Sequence, residues 1–252
     1  MSAAVSLAPF AGPEWLRPLV DNVAELRGAY RRRVPAEMLA QIEASKPGAN
    51  RDAAVLVLFS GPQQSPSGSA IAGLPDDADL LVTVRASSLR HHAGQAAFPG
   101  GATDPGDDGP VGTALREARE ETGIDTARLQ PLATLERMFI PPSGFHVVPV
   151  LAYSQDPGPV DVVDEAETAI VARVPVRAFV NPENRLMVYR DANTRRFAGP
   201  AFLLNQMLVW GFTGQVISAM LEVAGWARPW DNAKELELED AMKLVGDGGM
   251  HR

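Results

Sequence analysis

The sequence predicts an α+β fold in which a mixed β-sheet is sandwiched between α-helices. Short apolar segments rich in β-branched residues, which are typical of strands, are spread over residues 53–176. Apolar residues recur with helical spacing in residues 14–44 and again near the end of the chain. Segments rich in Pro, Gly and Ser separate the apolar runs, as connections between elements do. Together these patterns are typical of an α+β domain with extensions.

Five segments of the central region are predicted to be strands. Each is short, apolar and bounded by turn-forming residues. The segment GPQQSPSGSAIAGLPDD (61–77) is rich in Gly, Pro and Ser and is predicted to be a loop. Residues 201–226 are predicted to form a later strand that leads into an amphipathic helix. The five predicted strands are residues 53–60, 79–86, 132–140, 145–154 and 167–176.

The order of these patterns divides the chain into three parts. We expect residues 1–49 to form an N-terminal helical extension and residues 50–190 to form the central domain. Residues 191–252 are expected to form a strand and helix extension that packs on the central domain and ends in an acidic tail.

Composition narrows the classes of function. The chain has 252 residues, of which 46% are hydrophobic and 21% are charged, as in ordinary globular proteins. Its net charge of −8 argues against general attraction to nucleic acid or to an anionic membrane, so an anionic substrate needs a local basic pocket or a metal ion. The absence of cysteine excludes disulfides, thiolate zinc sites and cysteine nucleophiles.

We expect a cytoplasmic protein. The first residues, MSAAVSLAPFAG (1–12), lack the basic region that begins a secretory signal. The most apolar late segment, residues 207–221, is interrupted by Gln215 and is shorter than the roughly 20 residues that a membrane helix needs.

Three glutamates crowd the end of a predicted helix in LREAREETG (115–123). At about 100° per residue, Glu117, Glu120 and Glu121 fall within an arc of about 100°, opposite an apolar stripe. Glu117 and Glu121 form a like-charge pair that costs roughly 0.2–0.5 kcal/mol. Gly123 is a natural helix stop, so the acids lie at the negative end of the helix dipole.

Two interpretations of this acidic turn are open. It is either an ordinary charged surface helix or a site where a cation offsets the repulsion. Three converging carboxylates suit Mg²⁺ or Mn²⁺, and Mg²⁺ sites commonly use few carboxylates and are completed by substrate phosphates. The second interpretation therefore indicates phosphate chemistry.

The loop before this helix, FPGGATDPGDDGP (98–110), combines turn-forming residues with acids. The pair Gly100–Gly101 allows the backbone to approach a ligand or a metal closely. Asp104, Asp107 and Asp108 either cap the start of the helix and form turns or bind a metal directly, and the sequence leaves both roles open.

Residues 116–124, REAREETGI, with Gly101 and Asp107 upstream, resemble the Nudix box. That pattern is a glycine, five residues, a glutamate, seven residues, and then Arg-Glu-aliphatic-x-Glu-Glu-x-Gly-aliphatic. The second half matches at every fixed position. In the first half the acid is Asp107, and eight residues separate it from Arg116; choosing Asp108 restores the spacing but puts Ala102 in the glycine position.

A longer segment, LVTVRASSLRHHAGQAAFPGG (81–101), is similar to the signature of the coenzyme A diphosphatase branch of the Nudix hydrolases. That signature reads Leu-Leu-Thr-x-Arg-(Ser/Ala), three residues, Arg, three residues, Gly, three residues, Phe-Pro-Gly-Gly. Val82 in place of the second leucine is the one change. The resemblance implies the Nudix fold, with the mixed sheet between helices, for residues 50–190.

The resemblance also implies a metal-dependent hydrolase in which water attacks a diphosphate. Glu117, Glu120 and Glu121 would hold Mg²⁺ or Mn²⁺, with the carbonyl of Gly101 as a further ligand. Either Glu117 or Glu120 would act as the general base. Arg116 would orient the glutamates; the alternative for Arg116 is a surface ion pair.

Residues of the longer signature would bind the substrate by the same resemblance. Arg85 and Arg90 would contact its phosphates, because a guanidinium fork suits phosphate geometry. Phe98 and Gly100 would complete the substrate site. The alternative for the two arginines is that they brace loops through carboxylates such as Asp104.

The resemblance implies coenzyme A as the substrate, with acyl-CoA as a second candidate. The products from coenzyme A would be 3′,5′-ADP and 4′-phosphopantetheine. NADH, ADP-ribose and other nucleoside diphosphate derivatives are the rival substrates within this class. The alternative class is a non-catalytic Nudix-like binding domain. Such domains commonly lack glutamates of the box, whereas this sequence retains all three.

A homodimer is one further expectation from the sequence. The N-terminal helices and the tryptophan-rich C-terminal region could form its interface. Trp210, Trp226 and Trp230 are expected to be core or interface residues rather than ligands of the substrate.

Overall fold

A computed structural model provides the structure of this chain, and every structural statement below concerns the residues that it describes. These are residues 4–7, 10–34, 40, 51–64, 71, 73–86, 94–140, 143–192, 195–205 and 207–246. Residues 65–70 and 72 of the predicted loop at 61–77, and residues 35–39 and 41–44 of the predicted helical region at 14–44, lie outside them.

Helices surround two β-sheets in this structure. The α-helices are α1 (Arg17–Asp21), α2 (Leu26–Arg31), α3 (Gly109–Thr122), α4 (Val176–Val180), α5 (Gly211–Val223) and α6 (Leu238–Gly246). Short 3-10 helices lie at Glu14–Leu16, Val23–Glu25, Thr126–Arg128 and Pro182–Asn184. The strands are β1 (Val5–Ser6), β2 (Arg51–Ser60), β3 (Asp79–Arg85), β4 (Ala96–Ala97), β5 (Gly100–Ala102), β6 (Gln130–Thr134), β7 (Met138–Ile140), β8 (Phe145–Ser154), β9 (Thr168–Pro175), β10 (Arg185–Ala192), β11 (Arg195–Leu204), β12 (Met207–Val209) and β13 (Glu235–Glu237).

The first sheet is mixed, as predicted. Strands β2 and β8 run parallel at its centre, in register from Arg51 opposite Phe145 to Ser60 opposite Ser154. Both are buried along most of their length, which explains why their sequences are almost continuously apolar rather than alternating. The remaining pairs of this sheet are antiparallel, with β1, β6 and β7 on the β8 side and β3, β4, β5 and β9 on the β2 side.

The predicted single strand at 132–140 was wrong, because the structure has two strands there, β6 and β7. The break faces Pro149 in β8, since β6 ends opposite Val150 and β7 begins opposite Val147. A proline nitrogen has no hydrogen to donate to a neighbouring strand, so the ladder is interrupted at this point. The Pro149 carbonyl still accepts a hydrogen bond from the Leu135 N–H at 2.9 Å.

A second sheet of four strands, in the order β12-β11-β10-β13, follows the first one along the chain. The sequence predicted its β11 and β12 region but not β10, which forms an eight-residue antiparallel pairing with β11 from Arg185–Phe202 to Ala192–Arg195. In β10, buried and more exposed positions alternate, so its apolar signal is weaker than that of the central strands.

An aromatic cluster joins the N-terminal helices to the rest of the core. The ring of Trp15 lies 6.2 Å from Phe59, 6.1 Å from Tyr153 and 6.1 Å from Trp226. Trp226 is only 1% exposed, as expected of a core residue. Tyr30 of α2 meets Phe212 of α5 edge to face at 6.0 Å, so the two ends of the chain pack against each other.

Among the described residues, no helix combines the length and the apolar character that crossing a membrane requires.

Candidate active site

Helix α3 packs its apolar side on the core and carries its glutamates on the other side, where Glu117 and Glu121 lie against the paired glycines of β5. Thr113, Ala114, Ala118 and Thr122 are fully buried against the first sheet. The helix stops at Gly123, whose φ of 67° is left-handed, as the sequence predicted. Asp108, one of the three candidate caps, occupies the N-cap position but makes no capping hydrogen bond through its side chain.

Asp107 instead binds Arg116, one of the predicted site residues. Arg116 donates from Nε to Oδ1 at 2.9 Å and from Nη2 to Oδ2 at 3.0 Å, a bidentate arrangement. The Asp107 side chain is only 6% exposed and also accepts from Thr113 Oγ1 and from the Asp104 N–H, both at 2.9 Å. These bonds, those from Arg116 first, hold the pKa of Asp107 well below its usual range.

The other side of the same guanidinium faces the glutamates. Nη1 of Arg116 lies 2.9 Å from a carboxylate oxygen of Glu117 and 2.9 Å from one of Glu120. Nη2 also donates to the carbonyl of Ala102 at 2.9 Å. Arg116 is therefore more than a surface ion pair, because it ties strand β5, the loop before α3 and two glutamates together.

The three glutamates have different surroundings. The side chain of Glu120 is 53% exposed, whereas that of Glu117 is 17% exposed and Glu121 is half-buried. Burial raises the pKa of Glu117, against the opposing effect of its bond to Arg116. Burial also raises the pKa of Glu121 to about 7, while the Gly100 N–H, 3.3 Å from its Oε2, acts in the opposite direction. The charge of Glu117 raises the pKa of Glu121 further.

The carboxylate oxygens of the three glutamates suit a hard divalent cation, because such cations prefer oxygen ligands. Within the described part of the chain, however, no group of three acidic or histidine side chains forms a ready metal site. Glu117 and Glu120 contact Arg116, and Glu121 contacts the Gly100 N–H. Glu117 and Glu121 are the partly desolvated pair that a cation would stabilise most.

The paired glycines allow the backbone to lie close to this pair. A Cβ added to Gly101 would lie 2.5 Å from the Glu117 carboxylate. A Cβ added to Gly100 would lie 2.4 Å from the Ala54 carbonyl oxygen and 2.6 Å from the Val55 Cα. Glycine at these two positions therefore keeps β5 against β2 and brings the predicted Gly101 ligand next to Glu117.

A cavity of about 1420 Å³ opens beside these residues, and it contains most of the predicted substrate site. Arg85, Phe98, Gly100, Gly101 and Glu121 all line it. Nε of Arg85 is buried without a hydrogen-bond partner in the described chain. The remaining predicted residue, Arg90, lies outside the described residues.

The opposite wall of the cavity comes from elements that the sequence did not assign to a site. Strands β10 and β11 and helices α5 and α6 contribute, among others, Tyr189, Gly199, Trp210, Gln215 and Met242. These residues are far from α3 along the chain. Trp210 belongs to this wall, whereas Trp230 lies outside it and stacks on Arg185 at 4.5 Å.

Substitution of the two glycines should separate their roles. Gly100→Ala should lower the free energy of unfolding by about 1–3 kcal/mol, because the new methyl group meets backbone atoms of β2. Gly101→Ala should cost less than about 1 kcal/mol, because the Glu117 side chain can rotate away. Urea unfolding followed by circular dichroism measures both, and equal losses would contradict the packing described for Gly101.

The raised pKa of Glu121 predicts how stability changes with pH when a chelator removes metal ions. The pKa of the Glu121 carboxyl is about 7 in the folded state and about 4.3 in the unfolded state. The folded protein therefore binds the proton more tightly, and the free energy of unfolding should fall as the pH rises from 5 to 8. Glu121→Gln removes this loss and should stabilise the protein at pH 8 by about 1–3 kcal/mol. Glu120→Gln, at an exposed position, is the control and should shift stability by less than about 0.5 kcal/mol. Parallel pH profiles for the wild type and Glu121→Gln would contradict the burial of this charge.

Comparison with known proteins agrees with the motif. The NUDIX domain family matches residues 66–193, which is half of the chain. A Nudix hydrolase of uncharacterised function from Photorhabdus laumondii, NudL, is 34% identical over 145 residues, which cover 57% of this chain and 75% of that protein. NudL from Yersinia pestis is 36% identical over 140 residues, which cover 55% of this chain and 68% of that protein.

Solved structures of Nudix proteins are more distant. The Nudix hydrolase RenU from M. smegmatis is 24% identical, with a TM-score of 0.38, over 51% of this chain and 72% of RenU. The NUDIX domain of NrtR from Shewanella oneidensis, solved with ADP-ribose, is 21% identical, with a TM-score of 0.37. The match covers 56% of this chain and 83% of that domain. Because the NUDIX family matches half of the chain and NudL is 34% identical to it, this chain belongs to the Nudix family and is a Nudix hydrolase.

Proposed function

We propose that this Nudix hydrolase cleaves the diphosphate of coenzyme A and of its acyl thioesters, releasing 3′,5′-ADP and 4′-phosphopantetheine from coenzyme A. One observation carries the proposal. Arg85, from the signature of the coenzyme A diphosphatase branch, lines the same cavity as Glu121 of the acidic helix. The two side chains interact electrostatically, since Arg85 lowers the pKa of Glu121. A cation for phosphate and a carboxylate for metal therefore face one space.

Glu117, Glu120 and Glu121, with the Gly101 carbonyl, would hold Mg²⁺ or Mn²⁺. The ion would neutralise phosphate oxygens and lower the pKa of a bound water. Arg116 keeps Glu117 and Glu120 on one side of the helix through its contacts at 2.9 Å. In the reaction, the oxygen of water bonds to one phosphorus, the bridging P–O bond breaks, and Glu117 or Glu120 accepts the proton of the water.

Arg85, Phe98 and Gly100 would bind the substrate. Arg85 has an unused Nε–H, and a guanidinium suits the oxygens of a diphosphate. Phe98 is 3% exposed and supports the cavity wall next to the paired glycines. Arg90 is proposed for a second phosphate contact on the sequence signature alone.

NADH and ADP-ribose are the rival substrates, because both carry an adenosine diphosphate. The cavity of about 1420 Å³ is large enough for any of the three, since typical ligand sites have about 300–1,000 Å³. The 3′-phosphate of coenzyme A is the group that distinguishes it from both rivals.

We also propose that the protein is cytoplasmic and forms a homodimer. We further propose three parts of the chain: a helical extension up to residue 49, a central Nudix domain up to residue 190, and a C-terminal extension. The faces of Trp15, Tyr30, Phe212 and Trp226 pack within one chain, so a dimer would use other surfaces. Light scattering over a dilution series tests the dimer.

Glu121→Gln should reduce kcat by at least about 10²-fold at saturating Mg²⁺, as expected for the loss of a metal ligand or of an acid–base group. Circular dichroism should show an intact fold, because the amide has the shape of the carboxyl. Near wild-type turnover would remove Glu121 from the proposed site. Glu183→Gln, at an exposed position outside the cavity, is the control and should retain activity.

A substrate panel tests the choice of coenzyme A. We expect the highest kcat/KM for coenzyme A or an acyl-CoA among these compounds, NADH, ADP-ribose and dephospho-CoA, with Mg²⁺ or Mn²⁺. Dephospho-CoA should be the poorer substrate, because it lacks the 3′-phosphate. Equal values for dephospho-CoA and coenzyme A would exclude a dedicated 3′-phosphate pocket, and a preference for NADH or ADP-ribose would overturn the proposed substrate.

A further inference from the structure

The guanidinium of Arg85 lines the cavity without a side chain that holds it there. Its Nε is buried and has no hydrogen-bond partner, and no carboxylate of a described residue lies within ion-pair distance of it. It nevertheless lines the same cavity as Glu121 and lowers the pKa of that carboxyl. Because no side-chain contact orients the guanidinium, its direction follows from the backbone at residue 85 and from the segments that hold this backbone in place.

Strand β3 brings Arg85 to the side of the sheet on which α3 lies. Side chains alternate along a strand, so Leu81, Thr83 and Arg85 share one face. Leu81 packs in the same apolar cluster as Ala114 and Ala118 of α3, which identifies that face. The alternation sets the face but not the angle of the side chain, because β3 ends at Arg85 and the neighbouring strand β9 is irregular there.

Strand β9 carries a β-bulge opposite the end of β3. Val84 pairs with Ile170 and Arg85 pairs with Thr168, so Ala169 is an extra residue without a partner in β3. A bulge bends its strand and increases the local twist, and bulges beside active sites re-aim side chains. This bulge therefore changes the course of the chain next to Arg85, at the point where β9 begins.

Residues 161–167, which we call the strap, lead into this bulge and cross the end of α3. The N–H of Asp161 donates to the Thr122 carbonyl at 3.0 Å. A methyl group of Val163 lies against the glycine that ends α3, 3.5 Å from the position that a Cβ on this glycine would take. The last carbonyls of a helix have no partner within it, so these contacts fix the end of α3 immediately after Glu121.

The other end of the strap is bonded to the end of β3. The Ala86 N–H donates to the Glu167 carbonyl at 2.9 Å, one residue after Arg85. The charge of Glu167 also raises the pKa of Glu121, so this end of the strap lies close to that carboxylate. The strap therefore bridges the two segments that carry a proposed metal ligand, Glu121, and a proposed phosphate ligand, Arg85.

Asp164 determines the shape of the strap. Its Oδ1 accepts a hydrogen bond from the Ala166 N–H at 2.8 Å. Its carbonyl accepts from the N–H groups of Glu167 at 3.1 Å and of Thr168 at 2.9 Å. An aspartate side chain that bonds to the backbone two residues on forms an Asx turn. The turn presents the Glu167 carbonyl to Ala86 and returns the chain to β9 at the bulge.

We propose that the strap sets the position of Arg85 relative to Glu121, and that Asp164 is a positioning residue of this hydrolase that acts through Arg85. The inference rests on the proposed function, in which Arg85 binds the diphosphate of the substrate. Asp164 itself does not line the cavity. A displacement of about 1 Å in a substrate-binding group can cost about 10²-fold in rate, so a turn outside the cavity can control the reaction.

Kinetics with the best substrate of the panel, at saturating Mg²⁺, test the strap. Asp164→Ala removes the Asx turn and should lower kcat/KM about tenfold, chiefly by raising KM, because a displaced Arg85 binds the diphosphate less tightly. Asp164→Asn keeps the oxygen that accepts from Ala166 and should retain kcat/KM within about twofold of the wild type. A smaller fraction of folded enzyme would lower kcat and leave KM unchanged, so the rise in KM separates positioning from loss of structure.

A double-mutant cycle identifies the residue through which Asp164 acts. Arg85→Gln should lower kcat/KM at least about tenfold, and adding Asp164→Ala should change this value by less than about twofold, because the group that the strap positions is already absent. Asp156→Ala is the matched control. Asp156 also forms an Asx turn, to the Gly158 N–H at 3.1 Å, but it pairs with Arg128 away from the strap, so kcat/KM should stay within about twofold of the wild type.

Three outcomes would overturn the role of the strap: an unchanged KM in Asp164→Ala, equal losses in Asp164→Ala and Asp164→Asn, or losses that multiply in the double variant. Failure of the proposed function gives a different result. Arg85→Gln would then keep the kcat/KM of the wild type, which removes Arg85 from the phosphate site and the role of the strap with it.

Discussion

The guanidinium of Arg116 is the interaction on which the site depends. Its bidentate bond to Asp107 fixes the loop before α3, its bond to the Ala102 carbonyl fixes β5, and its remaining nitrogen contacts Glu117 and Glu120. One residue therefore sets the distance between the paired glycines and the acidic face of the helix. Because the guanidinium is always charged, it holds these carboxylates together at a helix end where they would otherwise repel.

The acidic turn also shows stability exchanged for function. Glu121 is buried enough for its pKa to rise to about 7, and Glu117 beside it is also desolvated. A helix selected for stability alone would place acids at its start and bases at its end. The buried, closely spaced carboxylates lower the stability of the fold. The divalent metal ions that Nudix hydrolases generally use would offset this loss.

Sequence reasoning was most successful where the physical signal is local. The central strands β2 and β8 are continuous apolar runs, and the stop of α3 at Gly123 follows from one left-handed glycine. It failed where a partner decides the outcome. The strand at 132–140 is divided because Pro149 of another strand cannot donate a hydrogen bond, and β10 is a strand because β11 pairs with it. Asp108 lacks a capping bond, and the neighbouring Asp107 is used by Arg116.

By itself the sequence determined the family, the acidic face of α3 and the identity of the glycines and of Arg85, because these are fixed by residue type and spacing along one segment. Only the tertiary structure decided what those residues face. The far wall of the cavity is built by Gln215, Gly199 and their neighbours, roughly 75–95 residues beyond the end of the acidic helix, and no spacing rule connects them to it.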